Sequence, residues 1–311
     1  MDTYDLVILG DINGDIMLTD DDPSPIFGQH EKFLEDGFMD IGGGSAITAC
    51  QTARLGLKTA FVGKVGDDLQ GRLLSHSLQR HGVDTRAMIV DAKVKTGFTV
   101  HLCRTKEGDR SMLTYAGSIA HLRAEEAPLE LIQQTRHLHV SDFFLQPGLQ
   151  DGLAGLFATV RKFGIGISLD PAWDPTGHWN GRLRAVLPYL DVFLPNEQEL
   201  YHVTKKTDLG EALDTLGSQV PTVVVKVGSR GAVAIHNGRV YSEPGFPVEV
   251  VDSTGAGDNF NAGFLYGHLR GLSMQHSLRI ACVCGAMSTR ALGGIQAQLS
   301  LESLREIVGN V

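Results

Sequence analysis

The sequence predicts an α/β protein: a doubly wound, mainly parallel sheet in a three-layer arrangement, with a small β lid. Short apolar runs bounded by Gly or Asp recur along the chain, and stretches with apolar residues at three- and four-residue spacing separate them. Two segments break this alternation. Because crossover helices bury parallel strands on both faces, the alternation is typical of a parallel sheet covered on both sides.

The apolar runs define the predicted strands, which are Leu6–Leu9, Thr59–Val62, His137–Val140, Gly166–Leu169, Val192–Leu194, Thr222–Val227 and Ala232–His236. The helical patterns fall between them, at Ala46–Leu55, Leu69–His81, Leu149–Phe163, Arg182–Leu187, Gln198–Val203, Gly210–Leu216 and Asn259–Arg270. Each helical pattern carries an apolar stripe that a sheet face can bury.

The two segments outside the alternation are interpreted as lid strands inserted at about residues 12–40 and 86–116. The first is rich in Asp, Pro and Gly, which predicts extended or irregular chain. In the second, Gly97–Cys103 and Ser111–Tyr115 flank the turn-like Lys106–Arg110, which predicts a β-hairpin. A plain surface hairpin is the alternative interpretation.

Composition limits the classes of protein to consider. The 311 residues are 42% hydrophobic, enough to bury a sizeable core, and we expect one domain over residues 1–311. Lys and Arg number 27 against 36 Asp and Glu, a net charge of −9, and they form no cluster. A nucleic-acid or anionic-membrane partner is therefore disfavoured.

Cellular location is predicted from the N-terminus and the cysteines. MDTYDLVILGD carries acids and a short apolar run, which does not match a signal peptide, and no run reaches the length of a membrane span. The four cysteines lack zinc-ligand spacing, and we expect buried, reduced thiols. These features predict a cytoplasmic protein.

The stretch VDSTGAGDNFNAGF, Val251–Phe264, places glycines directly before a helical pattern. The glycines either form a tight connection or leave backbone N–H groups at a helix N-terminus free to face an anion. In the second case the N–H groups stabilise a transferred phosphoryl group, and Asp258 accepts the proton of an incoming hydroxyl. A Walker A motif is absent, and Phe260 occupies the third glycine position of a dinucleotide fingerprint. Spacing alone leaves both interpretations open.

DSTGAGDNFNAGF resembles the C-terminal signature of the ribokinase (PfkB) family of carbohydrate and nucleoside kinases, close to D-T-x-G-A-G-D-x-F. Further stretches follow in the family's order: GDINGD, IGGGSAITACQTARLG, VGKVGDDLQGR, LPNEQE and VVVKVGSRGA. The resemblance covers Leu6 to about Gly294. It implies a ribokinase-like fold and a kinase activity that uses ATP and Mg²⁺.

The resemblance also implies catalytic residues. Asp258 matches the family's catalytic base, and Gly255, Ala256 and Gly257 match its anion hole.

Asn196 and Glu199 match a motif that positions magnesium near the phosphates, with Glu199 acting through water. Without the resemblance, this pair would predict only a helix start with a capping acid.

The nucleotide residues implied by the resemblance are Val227, Gly228, Ser229 and Gly231, in a segment that lies along the nucleotide in related kinases. A turn between two strands is a compatible alternative. Asp252 matches a residue that helps to bind a monovalent cation in several members, so K⁺ is a further implied cofactor.

The acceptor residues implied by the resemblance are Asn13 and Asp15, at positions that contact sugar hydroxyls, with Asp11 on the same loop. Carboxylates and amides suit vicinal hydroxyls because they accept or donate at paired groups. Gly42 and Gly43 match a di-glycine where backbone approaches the substrate.

One position departs from the family pattern. Ile47 stands where the family usually places an Asn that hydrogen-bonds the sugar. Either Ser45 or Thr48 compensates, or the acceptor is apolar there. Phe98 in the lid is a candidate to pack on a sugar face or stack on a base, with hairpin packing as the alternative.

The sequence thus predicts a Mg²⁺-dependent sugar kinase that phosphorylates a primary hydroxyl, with Asp258 as base. A nucleoside kinase is the alternative among enzymes, and a non-catalytic sugar or nucleoside sensor is the alternative outside them. The resemblance further implies a homodimer formed through the lid.

Overall fold

The computed structural model describes residues 4–106, 109–179 and 181–309. In this part of the chain the strands are β1 (Leu6–Leu9), β2 (Asn13–Asp20), β3 (Asp36–Gly42), β4 (Thr59–Val62), β5 (Lys64–Gly66), β6 (Ile89–Asp91), β7 (Phe98–Arg104), β8 (Arg110–Tyr115), β9 (His137–Val140), β10 (Gly166–Leu169), β11 (Val192–Phe193), β12 (Thr222–Lys226), β13 (Ala232–His236) and β14 (Arg239–Glu243).

The α-helices of the same residues are α1 (Gly44–Arg54), α2 (Leu69–Arg80), α3 (Leu129–Ile132), α4 (Pro147–Gln150), α5 (Leu153–Lys162), α6 (Gly181–Val186), α7 (Glu197–Thr204), α8 (Leu209–Gly217), α9 (Ala256–Leu269), α10 (Met274–Ser288) and α11 (Leu301–Val308). No helix in the described ranges is both long enough and apolar enough to cross a membrane.

The central sheet has the strand order β14-β13-β12-β11-β10-β9-β1-β4. Neighbours from β4 to β12 run parallel, and β13 and β14 add an antiparallel edge. In β1, Val7 and Leu9 pack in one apolar cluster, whereas Leu6 and Ile8 pack in another. Because successive residues of a strand face opposite sides, both faces of the sheet are covered. The predicted three-layer α/β fold is confirmed.

The parallel strands end at one edge of this sheet, which is where open α/β sheets bind ligands. Polar residues lie at or just beyond these ends: Asp11 after β1, Asp142 after β9, Asp170 after β10, Asn196 after β11, and Lys226 as the last residue of β12. The topology therefore brings together residues that are far apart in the sequence.

A second sheet, ordered β3-β2-β7-β8, forms the lid. Its β7 and β8 are the expected antiparallel hairpin, although residues 107 and 108 of the connecting turn lie outside the described part of the chain. The first lid segment, expected to hold lid strands in extended or irregular chain, contributes two paired strands, β2 and β3. Every second residue of β2, namely Asn13, Asp15, Met17 and Thr19, is buried, while the Asp- and Pro-rich residues only connect the two strands.

The lid has two chemically different faces. Asp15 pairs with Thr99, and Thr99 with Thr114, so these side chains share one face, here called the inner face. The opposite or outer face is largely apolar. Beside the buried Ile41 it presents Ile16, Leu18, Met39, Phe98, Val100, Leu102, Leu113 and Tyr115, and it also carries Asp20, Arg104 and Ser111.

Several elements differ from the sequence prediction. The helix expected over Leu149–Phe163 is divided into α4 and α5, because the chain turns at Asp151 and Gly152. Strand β14 and helix α11 were not predicted. Strand β14 is a largely exposed edge strand without a continuous apolar run, so its sequence carries only a weak strand pattern.

Candidate active site

The glycine loop leads into α9 and leaves the N-terminus of that helix open. Gly255 has a φ of 70°, and a Cβ at this position would lie 2.8 Å from the Cα of Gly294, so the loop requires glycine here. No side chain of the described residues caps α9. Backbone N–H groups of the first turn, such as that of Gly257, therefore remain available to an anion.

Asp258 lies in this first turn and is half-buried. A Cβ on Gly44 would lie 2.6 Å from its Oδ1, so the carboxylate is directed towards the start of α1. Loss of hydration raises the pKa of Asp258 to about 8, and the negative charge of Asp170 adds to the rise. Once ionised, a carboxylate with a raised pKa is a stronger proton acceptor than an ordinary aspartate, which suits a general base.

An ion pair that the sequence did not reveal lies beside Asp258. The Lys226 ammonium contacts the Asp170 carboxylate and donates to the Leu194 carbonyl at 2.7 Å. Burial acts against ionisation, but the Lys226 charge and the Asn261 amide outweigh it and lower the pKa of Asp170. Lys226 is thus fixed as a cation, and a Cβ on Gly257 would lie only 3.8 Å from its Nζ.

Asn196 and Glu199 form a reciprocal capping box at the start of α7. The Glu199 N–H donates to Asn196 Oδ1 at 2.9 Å, and the Asn196 N–H donates to Glu199 Oε2 at 2.7 Å. Burial raises the pKa of Glu199 to about 7, and the charge of Asp170 contributes. The capping interpretation of this motif is therefore correct, and it also holds the Glu199 carboxyl group at the sheet edge.

Two cavities meet at the glycine loop. A cavity of about 310 Å³ is polar and includes Asp142, Asp170, Asn196, Glu199 and Asp258 in its lining. A second, of about 460 Å³, is mainly apolar and includes Gly228, Ser229, Gly231, Phe246, Val250 and Phe260. Lys226 and Gly257 line both cavities. The arrangement suits a ligand with an apolar end and an anionic end.

Two predicted nucleotide and cation residues need correction. The side chain of Val227 belongs to the hydrophobic core, so Val227 contributes no side chain to the apolar cavity. Asp252, the expected monovalent-cation residue, forms an ion pair with Arg110 of lid strand β8. The carboxylate also accepts from the Gly293 N–H at 2.9 Å, so its oxygens already have partners.

The predicted acceptor residues lie together between the lid and the sheet edge. Three consecutive glycines each lie against a different carboxylate. A Cβ on Gly44 would contact the carboxylate of Asp258, a Cβ on Gly43 that of Asp11, and a Cβ on Gly42 that of Asp15. Two residues of chain span at most about 7 Å, so the three carboxylates lie along a floor about as long as a monosaccharide.

Asn13 fixes the lid end of this floor. Its side-chain amide donates to Asp15 Oδ1 at 2.9 Å and to Thr99 Oγ1 at 3.3 Å.

Asp142 is a further residue of the site that the sequence analysis missed. Its Oδ2 accepts from the Gly44 N–H at 2.9 Å. Loss of hydration raises the pKa of Asp142 well above the usual range, and the neighbouring charge of Asp11 adds to this effect. The available signal was positional: Asp142 follows β9, a strand that the sequence did predict.

Phe98 was predicted at the acceptor site, but the lid register argues against this position. Thr99, not Phe98, stands opposite Asp15, so Phe98 lies on the outer face. Its ring packs on that of its cross-strand partner Tyr115, with centroids 5.6 Å apart. We therefore assign Phe98 to lid packing.

Neither candidate residue compensates for Ile47 directly. Ile47 packs beneath the glycine loop, where a Cβ on Gly294 would lie 2.5 Å from its Cδ1. The Ser45 hydroxyl is buried beside Gly10, and the Ser45 N–H donates to Asp11 Oδ1 at 3.0 Å. The Thr48 hydroxyl donates to the Asp258 carbonyl at 3.2 Å. Ile47 and Thr48 therefore support the catalytic loop from below.

Comparison with known proteins gives a consistent family. The family model of the pfkB family carbohydrate kinases matches residues 4–300. A fructokinase from Klebsiella pneumoniae is 32% identical over 271 residues, covering 82% of this chain and 88% of its own. A nucleoside kinase from Methanothermobacter thermautotrophicus is 30% identical over 240 residues, covering 77% of this chain and 75% of its own.

Solved structures agree with the fold. A ribokinase from Arabidopsis thaliana, complexed with ribose and ATP, superposes with a TM-score of 0.86 at 24% identity, covering 99% of both chains. At this level of identity the similarity establishes the architecture, which is ribokinase-like.

Proposed function

Since the chain belongs to the pfkB family of carbohydrate kinases, it is an ATP-dependent phosphotransferase, and we propose that its acceptor is a small sugar phosphorylated on a primary hydroxyl. The position of Asp258 carries this proposal. Its carboxylate lies between the acceptor floor at Gly44 and the polar cavity beside the open N-terminus of α9. A hydroxyl bound on that floor would meet its base and a phosphoryl group at the same point.

The proposed mechanism is mainly positioning and charge stabilisation. Asn13, Asp15 and the three glycines orient the acceptor, and Asp258 takes the proton of its hydroxyl. The N–H groups of Gly257 and its neighbours, together with the Lys226 ammonium, stabilise charge on the transferred group.

Magnesium fits the polar cavity as a nucleotide-borne ion. Among the residues that the structure describes, no group of three or more His, Cys, Asp or Glu side chains is arranged as a complete metal site. Mg²⁺ retains water and binds through phosphates with few direct protein ligands, and Glu199 and Asp170 line the cavity where such waters would lie. The ion would supply charge neutralisation on the phosphates.

The test is magnesium-dependent ATP consumption by the purified protein against pooled neutral sugars and pooled nucleosides. Turnover with the sugar pool supports the proposal. Turnover with nucleosides alone would favour the activity named for the Methanothermobacter thermautotrophicus relative. Binding of ATP without turnover in either pool would favour a sensor.

We expect the protein to be a homodimer joined through the outer face of the lid. This face presents eight apolar residues, of which Met39, Leu113 and Tyr115 are exposed. Exposed apolar sheet faces of this kind usually mark an interface, and a second copy presents the same face. Val100→Asp should give a monomer by light scattering at micromolar concentration, whereas Leu73→Asp, exposed on α2, should remain a dimer. A monomeric wild-type protein would contradict this expectation.

Activity is expected to be independent of K⁺, because Arg110 already supplies a positive charge at Asp252. Replacing KCl with choline chloride at equal ionic strength should change kcat/KM by less than about twofold, since ionic screening is unchanged. Arg110→Gln removes that charge and should make the enzyme respond to K⁺. Strong K⁺ activation of the wild-type enzyme would refute the assignment of Arg110.

A further inference from the structure

The inner face of the lid contains a buried histidine without a hydrogen-bond partner. His101 lies on β7 in the row next to Asp15 and Thr99, and it is 3% exposed. Within the described residues neither Nδ1 nor Nε2 makes a hydrogen bond. Leaving a buried polar group unpaired is destabilising, so such a group calls for a specific explanation.

The imidazole is directed towards the acceptor floor. Its Nε2 lies 3.3 Å from Asp15 Oδ1, in a contact that lacks hydrogen-bond geometry. That Asp15 oxygen also accepts from the Asn13 amide, which in turn reaches Thr99. His101 is thus the unsatisfied member of a polar cluster that is otherwise internally bonded.

We infer that His101 binds a hydroxyl of the acceptor and, together with Asp15, selects a neutral monosaccharide over a sugar acid. This inference rests on the proposed function and identifies the class of its substrate. An imidazole nitrogen can donate to or accept from a hydroxyl, while the adjacent carboxylate accepts from a neighbouring one. The pair would therefore recognise vicinal hydroxyls at the end of the sugar remote from Asp258.

The charges around the floor argue against an anionic acceptor. Asp11, Asp15 and Asp40 all lie on or beside it, and they would repel a carboxylate. Arg110, which shares the inner face, is held by Asp252. A hydroxyl-bearing neutral sugar satisfies His101 without adding negative charge.

The experiment compares His101→Leu, which removes both nitrogens, with His101→Gln, which keeps a donor and an acceptor. Each variant is assayed with the preferred neutral sugar, its monodeoxy analogues and the corresponding sugar acid. The wild-type enzyme should discriminate against one deoxy analogue by about tenfold or more, because a buried polar group is left unpaired when its hydroxyl partner is missing.

His101→Leu should raise the acceptor KM by about tenfold and abolish that discrimination, with the KM for ATP unchanged. His101→Gln should retain most of the discrimination against the deoxy analogue. Met17→Leu, in the same row of the lid but apolar, is the matched control and should behave as wild type. Unchanged discrimination in His101→Leu, or a sugar acid as the preferred acceptor of the wild-type enzyme, would overturn the inference.

Two further outcomes can be distinguished from a failure of the inference about His101. If the wild-type enzyme phosphorylates no sugar, the proposed function itself fails, whatever His101 does. If His101→Leu does not fold, the ring-carbon NMR signals of His101 in the wild-type protein decide the matter during titration with the sugar. A change in their chemical shifts at saturating sugar supports a contact between His101 and the sugar, and unchanged shifts refute it.

Discussion

Replacing Asp258 by asparagine is expected to lower kcat by about a thousandfold or more, since general-base catalysis of proton transfer contributes on that order. Asparagine preserves the shape of the side chain but cannot accept the proton of the acceptor hydroxyl. ATP binding should persist, because the apolar cavity and the N–H groups of α9 are untouched. Single-turnover kinetics and ATP binding measured on the same preparation test this directly.

The pH dependence of stability provides an independent check on Asp258. Its pKa is raised to about 8 in the folded protein, whereas an unfolded aspartate titrates near 3.8. The folded state therefore binds the proton more tightly, and this contribution to stability is present below the unfolded pKa and is lost as pH rises towards 8. Asp258→Asn should consequently gain stability relative to wild type between pH 5 and about 8.5.

Thermal unfolding at both pH values, with the exposed Asp67→Asn as control, measures this difference. Near-normal turnover in Asp258→Asn, or a stability difference that shrinks as pH rises, would remove Asp258 from the role of base.

Replacing Lys226 by methionine is expected to lower kcat by about a hundredfold, the scale of one preorganised charge or donor at a transition state. Lys226 is the cation that lines both cavities, next to Gly257. Its charge also lowers the pKa of Asp258. Loss of the lysine should therefore raise that pKa, and the acid limb of the pH–rate profile should move to higher pH.

Lys64 offers a matched control for this experiment. It is a buried lysine with carboxylate partners, Glu126 and Asp91, that line neither cavity. Lys64→Met should also destabilise the protein, because it removes the ion pairs of a buried ammonium group, yet retain kcat and the pH profile. An unshifted profile in Lys226→Met, with kcat close to that of Lys64→Met, would reduce Lys226 to a structural role.

Much of the fold was predictable because its information is local. A continuous apolar run such as Leu6–Leu9 is typical of a strand buried on both faces, and the structure contains it with those bounds. Strand β14 escaped prediction because an exposed edge strand carries a weak local pattern. Helix α11 was missed although its apolar residues, Leu301, Leu304 and Val308, have helical spacing. The lid strands β2 and β3 were obscured by the polar residues that connect them.

The site residues show the same difference between local and long-range information. The glycine loop was predictable, since Gly255 and its neighbours combine a backbone requirement with the chemistry of a helix N-terminus within a few residues. The sequence left Phe98 between acceptor binding and lid packing, because the face of a strand that a residue occupies depends on register, which a lone hairpin sequence does not fix.

By itself, the sequence determined the alternating α/β order, the open glycine loop and the identity of the acid that follows it, because each depends on residues adjacent in the chain. Only the tertiary structure decided that Lys226 faces that loop, that Asp142 joins the acceptor floor and that Arg110 reaches Asp252. It also decided that His101 is buried without a hydrogen-bond partner among the residues that the structure describes. These contacts join separate strands and loops whose approach is set by sheet order and register, and the local pattern around each residue does not encode which distant group it will meet.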